Sequence, residues 1–518
     1  MISEFDELQV VSDLHLGGEK TPDKNFQVFK HGKRLGDFIE GLTKANNNDN
    51  RRVALVLNGD IVDFLAETDP RYLDPSGAVE KLERIYHDQS FYPVWKALEL
   101  FIATPNRYLI IVLGNHDVEL ALPPVKNWLS KELSKGDETA SARITFATDG
   151  SGFCCNVGNK RVLCLHGNEV DEWNVVDYFQ LLQVSRALNR AQKPLDWDAN
   201  AGTRLVIDIM NSIKWDYPMV DLLKPEIEAA SPIGLAFDPS QITKLLDVIK
   251  LGIQASKTKK RIDKGLLGTE PPQEKEENDA VLANAQLEKL LKETFGDLAG
   301  GRSDDIADML LRADKNNEEG LDPREIYGDN QQLGLADDKF DSAVKWFRKI
   351  SKRLDKTELL RRALKKLVKG NEFDLYGPDK GLDELEDKVG RGVDYLITGH
   401  SHLAGAKRRK DGKYYFNSGT WIRLIQLSNE VLDDDNMFSD LLKILKSPDI
   451  ESLDSTIIPG PYQREQTLVK NDTTYAVSII SKGKTTYGQI DRIMDNGKSV
   501  SVYNTEAYKY DSVDLLQF

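Results

Sequence analysis

The chain has 518 residues, of which 40% are hydrophobic and 30% charged, a composition typical of a soluble globular protein with two or three domains. Its 69 basic and 84 acidic residues give a formal net charge of −15, which argues against a dedicated nucleic-acid-binding surface. No apolar stretch is long enough to span a membrane, and residues 1–10 lack the pattern of a signal peptide. We therefore expect a cytoplasmic protein, and three cysteines without a disulfide spacing fit a reducing compartment.

In chain order, five apolar segments are each followed closely by Asp, Asn or His. The segments, each with its polar residues, are Leu8–Ser12 with Asp13 and His15, Val53–Asn58 with Asp60 and Asp63, Ile110–Leu113 with Asn115, His116 and Asp117, Val162–Leu165 with His166, and Tyr395–Thr398 with His400 and His402. Short apolar runs of this kind are typical of buried strands in an α/β sheet. Such sheets bind ligands at the carboxyl ends of their strands, so these polar residues are the candidate site.

The positions of the histidines indicate which kind of ligand this candidate site binds. The chain has seven histidines, and five of them follow the predicted strands. A single histidine at a strand end is usually structural, but five that alternate with Asp13, Asp60 and Asn115 indicate metal ligands. Imidazole and carboxylate together suit Mn²⁺, Fe or Zn²⁺, and Mn²⁺ is the ion we expect first. The candidate ligands are too many for one ion, which predicts two ions that share a bridging carboxylate.

The motifs Asp-x-His, Gly-Asp-x-x-Asp, Gly-Asn-His-Asp, His-Gly and Gly-His-x-His, in this order, resemble the calcineurin-like metallophosphoesterase family. The resemblance implies a four-layer αββα sandwich in which metal-activated hydroxide cleaves a phosphodiester or pyrophosphate bond. It implies that His116 is the general acid, oriented by Asp117, and that Asp63 fixes the tautomer of a ligand. The ligands so implied are Asp13, His15, Asp60 and His402 for one ion, and Asp60, Asn115, His166 and His400 for the other.

The remaining elements of the core follow from periodicity and turn residues. We predict a helix over 25–45 and a helical region over 79–103, where Pro93 begins a second helix. Segments 143–146, 152–157 and 161–165 are predicted strands, and the last two form a hairpin around Gly158-Asn159. The family resemblance implies that these strands belong to a second sheet stacked on the first.

More than two hundred residues separate His166 from His400, which predicts a large helical insertion over 171–390. Both of its ends lie beside metal ligands, so we expect it to cover the metal cleft and to select the substrate. Trp173 and Tyr178 are candidate substrate-binding residues near its start, as is Arg423 beyond it. The alternatives are that these aromatic residues form a helical core, or that the insertion binds a protein partner.

The predicted domain boundaries place the core in 1–170 and 391–425, the insertion in 171–390, and an α/β tail in 426–518. Strands over 475–480, 486–493 and 499–503 of the tail either complete the second sheet or form a separate appendage. The segment Asn417–Trp421 and the pair His166-Gly167 with Asp171 are similar to the UDP-2,3-diacylglucosamine pyrophosphatase branch of the family. That similarity implies a phosphorylated small molecule or nucleotide-like substrate.

Two other functions compete with this one. A nuclease of the same family shares several motifs, but the net charge disfavours it. A non-catalytic partner-binding protein is disfavoured by the intact ligand set. Residues 314–325 resemble a calcium-binding loop, yet Glu319 occupies the position where that loop needs glycine, so we expect no calcium binding there.

Overall fold

The computed structural model places two β-sheets face to face, with helices on the outer surfaces. The residues that the structure describes are 2–21, 25–44, 50–194, 196–211, 214, 218–223, 357–358, 360–361, 364–365, 380–445, 450–460, 465–470 and 473–506.

The first sheet has seven strands, in the order β17-β16-β15-β2-β3-β4-β5. Strands β2 to β5 are parallel, and β15 to β17 continue the sheet in antiparallel fashion. Strand β3 is buried along its whole length, which is why it reads as an unbroken apolar run. The bounds are Glu7–Val11 for β2, Val53–Asn58 for β3, Arg107–Val112 for β4, Ile144–Ala147 for β5, Tyr475–Lys482 for β15, Thr485–Ile493 for β16 and Ser499–Asn504 for β17.

The second sheet has six strands, in the order β1-β6-β7-β8-β10-β9. The bounds are Ser3–Phe5 for β1, Phe153–Val157 for β6, Lys160–Cys164 for β7, Tyr395–Thr398 for β8, Gly405–Arg408 for β9 and Tyr414–Asn417 for β10. Alternate residues of the two sheets, such as Val10, Val56 and Ile110 against Cys155, Ile397 and Phe416, share one buried core. This core fixes how the two sets of strand ends face each other.

Helices cover both outer faces and complete a four-layer αββα sandwich. Helices α1 to α4 pack on the first sheet through a large apolar cluster. On the second sheet, α8 packs Leu385 against Leu396 and Tyr415. The bounds are Gly32–Lys44 for α1, Ala78–His87 for α2, Tyr92–Ala103 for α3, Pro123–Ser134 for α4, Glu138–Ser141 for α5, Tyr178–Asn189 for α6, Ala201–Leu205 for α7 and Lys380–Glu386 for α8.

The smaller elements connect the core to the tail. Helix α7 continues into a π-helical turn over Val206–Met210. The later elements are β11 (Leu424–Ile425), α9 (Asn429–Asp433), α10 (Asp435–Leu445), β12 (Ile457–Pro459), β13 (Glu465–Thr467) and β14 (Val469–Lys470). Strand β11 pairs with β14, and β12 with β13. Among the described residues, no helix is both long and apolar enough to cross a membrane.

We call the described residues 171–194 and 196–211 the cap. The side chain of Asn211 donates a hydrogen bond to the Leu65 carbonyl at 3.2 Å, in the loop that follows Asp63. The hydroxyl of Tyr72 donates to Asp208 at 2.8 Å. The cap is therefore attached to the segment that follows Asp60 and Asp63.

Three features of the fold differ from the prediction. Strand β5 pairs with β4 and joins the first sheet, because the chain after β4 crosses over through α4 and returns in parallel. The terminal strands also join the first sheet, where β15 pairs with β2 and removes the open edge that β2 would otherwise present. Helix α1 begins at Gly32 rather than at residue 25, because Phe29 is paired in extended conformation with Ile422.

Several predicted segments lie outside the described residues. These are most of the predicted helical insertion over 171–390 and, within it, the calcium-loop-like segment 314–325.

The face-to-face packing of the sheets predicts a sensitive position at Gly488 of β16. A Cβ atom at Gly488 would lie 2.8 Å from a ring carbon of Phe416 and 2.9 Å from one of Tyr395. We expect Gly488→Val to lower the free energy of unfolding by about 1–3 kcal/mol, as overpacking does. The exposed change Ser499→Val on β17 is the control. Equal urea midpoints for the two variants would contradict this account of the sheet packing.

Candidate metal centre

The candidate ligands lie on loops at the carboxyl ends of strands from both sheets. Five of them adopt left-handed backbone conformations, which non-glycine residues rarely do. Their φ angles are 53° for Asp13, 47° for His15, 50° for Asp60, 68° for His400 and 63° for His402. Such strain clusters at functional sites and persists only where the surroundings enforce it.

One group of ligand atoms comes from Asp13, His15 and His402, which lie within 4.8 Å of one another. The Nε2 atom of His402 is 3.2 Å from Asp13 Oδ1. On the other side of His15, Nδ1 is 3.2 Å from Asp63 Oδ2. Because an ionised carboxylate only accepts, His15 Nδ1 carries the hydrogen and Nε2 keeps the lone pair that a metal ion needs.

A second group comes from Asp60, His166 and His400, again within 4.8 Å. Nδ1 of His166 donates to the Asn58 carbonyl at 2.8 Å, which leaves Nε2 as the ligand atom. Nε2 of His400 donates to Asp171 Oδ2, also at 2.8 Å. The side chain of Asn115 is buried nearby.

The carboxylate of Asp60 contacts both groups. Its Oδ2 atom is 3.7 Å from His15 Nε2 and 3.2 Å from His166 Nε2, while Oδ1 accepts the backbone N–H of His116 at 2.9 Å. A Cβ atom on Gly114 would overlap this carboxylate, which is why the strand end carries glycine. Asp60 therefore occupies the position that a bridging ligand requires.

The charges of this centre follow from burial and proximity. Burial opposes ionisation of Asp60, but the neighbouring His166 and His116 hold its pKa well below the usual range. Burial would lower the pKa of His166, but the carboxylates of Asp60 and Asp13 and the Asn58 carbonyl together outweigh burial and raise that pKa to about 10. A metal ion that binds His166 would therefore displace a proton.

The donor set fits divalent metal ions. Buried atoms that make no hydrogen bond to any described residue include Asp13 Oδ1, His15 Nε2, Asn115 Oδ1 and His166 Nε2. His166 Nε2 lies 3.2 Å from Asp60 Oδ2 but makes no hydrogen bond with it. Unsatisfied buried polar atoms are rare in folded proteins, and here they combine imidazole nitrogen with carboxylate and amide oxygen.

Residues 9–238 match the family model of the calcineurin-like phosphoesterases. The chain therefore contains a calcineurin-like phosphoesterase domain. No curated protein matches the chain. Members of the family hydrolyse phosphoesters with divalent metal ions, so this phosphoesterase domain acts on a phosphorylated substrate.

Asp63, rather than Asp117, lies beside the ring of His116. Nδ1 of His116 is 3.4 Å from Asp63 Oδ1, and its ring centroid is 4.8 Å from that of His15. Asp117 instead accepts the backbone N–H groups of Ile61 and Gly114, each at 2.7 Å. The expectation that Asp117 orients His116 is therefore wrong. Both carboxylate oxygens of Asp117 accept backbone hydrogen bonds from the loops after β3 and β4.

The three predicted substrate-binding residues have different surroundings. Arg423 is buried, donates to the Gln27 carbonyl at 2.6 Å and pairs with Asp454 at 3.2 Å, so it fastens loops together rather than facing substrate. Tyr178 lies against Gly150, and burial raises the pKa of its phenol well above the usual value. Trp173 is half-buried in the cap and remains a candidate.

Two residues of the cap that were not among the predicted site residues contact the ligands. Asp171 accepts from His400, and Asn174 accepts from Asn115 at 3.4 Å. The sequence named Asp171 only as part of the resemblance carried by His166-Gly167, without a role in the site. Nothing in the sequence pointed to Asn174.

The two hydrogen bonds of Asp117 predict a loss of stability on Asp117→Asn. An amide has one accepting oxygen, so either Ile61 or Gly114 would keep a buried, unsatisfied N–H, at a cost of about 1–3 kcal/mol. Urea unfolding measures the change. The exposed turn residue Asp149, changed to Asn, is the control and should lose far less. A variant Asp117→Asn as stable as wild type would contradict this role.

Proposed function

We propose that the protein is a dinuclear-metal phosphohydrolase that cleaves a phosphodiester or pyrophosphate bond. The observation that carries the proposal is the Asp60 carboxylate, which contacts a histidine of each ligand group. Two bound ions would activate water and neutralise the phosphoryl oxygens. The ligands proposed for them are Asp13, His15, Asp60 and His402 for the first ion, and Asp60, Asn115, His166 and His400 for the second. Mn²⁺ is the ion proposed first, and Fe or Zn²⁺ are alternatives.

His116 is proposed as the general acid. Its side chain is 14% exposed, beside the first ligand group, so it can reach both solvent and a bound substrate. Burial opposes the charge on Asp63, yet His116 and His15 hold the pKa of this carboxyl well below its usual range. An ionised Asp63 beside Nδ1 stabilises the protonated imidazole, whose Nε2–H is then available to the leaving oxygen.

The substrate is proposed to be a phosphorylated small molecule or a nucleotide-like compound. The excess of negative charge over the whole chain disfavours nucleic acid. A hydrolysis screen of the Mn²⁺-loaded protein against nucleotides, nucleotide sugars, DNA and a chromogenic phosphodiester tests this proposal. Cleavage of DNA alone would favour a nuclease, and no cleavage by a protein with two bound ions would favour a non-catalytic role.

The bridging position of Asp60 predicts two metal ions per chain and a severe effect of Asp60→Asn. Loss of the shared carboxylate weakens both ions, whereas Asp13→Asn or Asn115→Ala weakens one. We expect metal content, measured by mass spectrometry after dialysis, to fall furthest in Asp60→Asn. One ion or none in a folded, Mn²⁺-saturated wild type would overturn the dinuclear proposal.

The role of His116 predicts a dependence on the leaving group. His116→Gln should retain both ions but slow the hydrolysis of an alkyl phosphodiester by roughly a hundred- to ten-thousandfold, the range of general acids. A p-nitrophenolate leaving group scarcely needs a proton, so its release should slow much less. Equal losses of kcat on both substrates would show that His116 has another role.

A further inference from the structure

A continuous chain of hydrogen bonds joins two candidate ligands through the cap. Nε2 of His400 donates to Asp171 Oδ2 at 2.8 Å, and the amide of Asn174 donates to the same oxygen at 2.7 Å. The amide of Asn115 then donates to Asn174 Oδ1 at 3.4 Å. His400 and Asn115 are both proposed ligands of the second ion. None of the three hydrogen bonds that join them involves a proposed ligand of the first ion.

Each hydrogen bond of this chain fixes the orientation of a ligand. An ionised Asp171 only accepts, so His400 must carry its hydrogen on Nε2 and leave the lone pair on Nδ1. Because the amide nitrogen of Asn115 donates to Asn174, its oxygen is the atom left for a metal ion. That oxygen is buried and makes no hydrogen bond to the described residues.

The cap holds Asp171 and Asn174 in place by a tight turn. Asp171 Oδ1 accepts the N–H of Trp173 at 2.9 Å, and the Asp171 carbonyl accepts the N–H of Val175 at 2.9 Å. The carbonyl of Asn174 accepts from the side chains of Asn168 and Asn200 at 3.0 Å and 3.3 Å. The backbone that carries Asp171 and Asn174, the two acceptors in this series of hydrogen bonds, is therefore itself held in place by hydrogen bonds.

Helix α7 approaches this turn so closely that only glycine fits. The N–H of Gly202 donates to the Trp173 carbonyl at 2.8 Å. A Cβ atom on Gly202 would overlap Asn174 Oδ1, the atom that receives the Asn115 amide. Gly202 has a helical backbone, so alanine there would be favoured by helix propensity and excluded only by Asn174.

We propose that Asp171 and Asn174 are positioning residues that set the affinity of the second metal ion and couple it to helix α7, an inference that rests on the dinuclear site proposed above. Loss of hydrogen-bond partners behind metal ligands typically lowers metal affinity ten- to a hundredfold. The first ion, whose proposed ligands lie outside this chain of hydrogen bonds, should keep its affinity.

Calorimetric titration of the metal-free full-length protein with Mn²⁺ tests the proposal without reference to catalysis. Asp171→Asn, Asn174→Ala and Gly202→Ala should each bind one ion with wild-type affinity and the other at least tenfold more weakly. Gly41→Ala is the matched control, because Gly41 lies in helix α1 and a Cβ there meets nothing within 4 Å. With two equivalents of Mn²⁺ per chain, at a protein concentration between the wild-type and the weakened Kd of the second site, electron paramagnetic resonance should show coupled ions in wild type and Gly41→Ala, and mainly isolated Mn²⁺ in the other variants.

The outcomes separate this proposal from the one on which it rests. If wild type binds fewer than two ions, the dinuclear function fails. If wild type binds two ions and Gly202→Ala, folded by circular dichroism, binds both with unchanged affinity, the coupling proposal is overturned and the function stands. Equal weakening of both ions in Gly202→Ala would also overturn it, since a general loss of structure, and not the second ion, would then be affected.

Discussion

The buried negative charge of Asp60 is the constraint on which the rest of the site depends. A carboxylate in this position is stable only if cations or hydrogen-bond donors surround it. His15 and His166 approach Oδ2, and the backbone N–H of His116 donates to Oδ1. The groups behind the histidines, Asp63 and the Asn58 carbonyl, hold their outer nitrogens. The centre is thus built outward from one side chain, and its strand-end loops have little freedom to move.

Backbone strain and hydrogen bonding balance each other in these loops. A non-glycine residue in the left-handed region costs roughly 1–2 kcal/mol, and five candidate ligands adopt it. The N–H of His400 is accepted by Asp13 Oδ2 at 3.0 Å, and the Asp13 carbonyl accepts from Thr420 and Trp421. Segment Asn417–Trp421 therefore supports the strained loops of both sheets, and the rigid sheets beneath keep the ligand atoms converged.

The sequence predicts the ligand-bearing strands well because their signal is local: an apolar run that ends, in three of the five cases at a glycine, just before a polar residue. It fails where partners come from different strands. Asp117 adjoins His116 in sequence, yet successive side chains point in different directions, and Asp63 reaches the ring from the loop after β3. The sheet membership of β5 and β15 is equally hidden, because alternation shows that a strand has a buried face but not which sheet edge it joins.

The position of the cap in the chain has a thermodynamic consequence. Because the insertion leaves the core directly after His166, its first residues are within hydrogen-bond reach of the ligands, and Asp171 and Asn174 use that reach. The same segment continues into α7 and the π-helical turn, in which Asp208 accepts a hydrogen bond from the Tyr72 hydroxyl. On the proposed dinuclear function, a substrate that shifted α7 would change the affinity for the second ion. Linkage would then require that ion to change the affinity for that substrate by the same factor. On this proposal, metal loading and the binding of a substrate that contacts the cap would be linked properties.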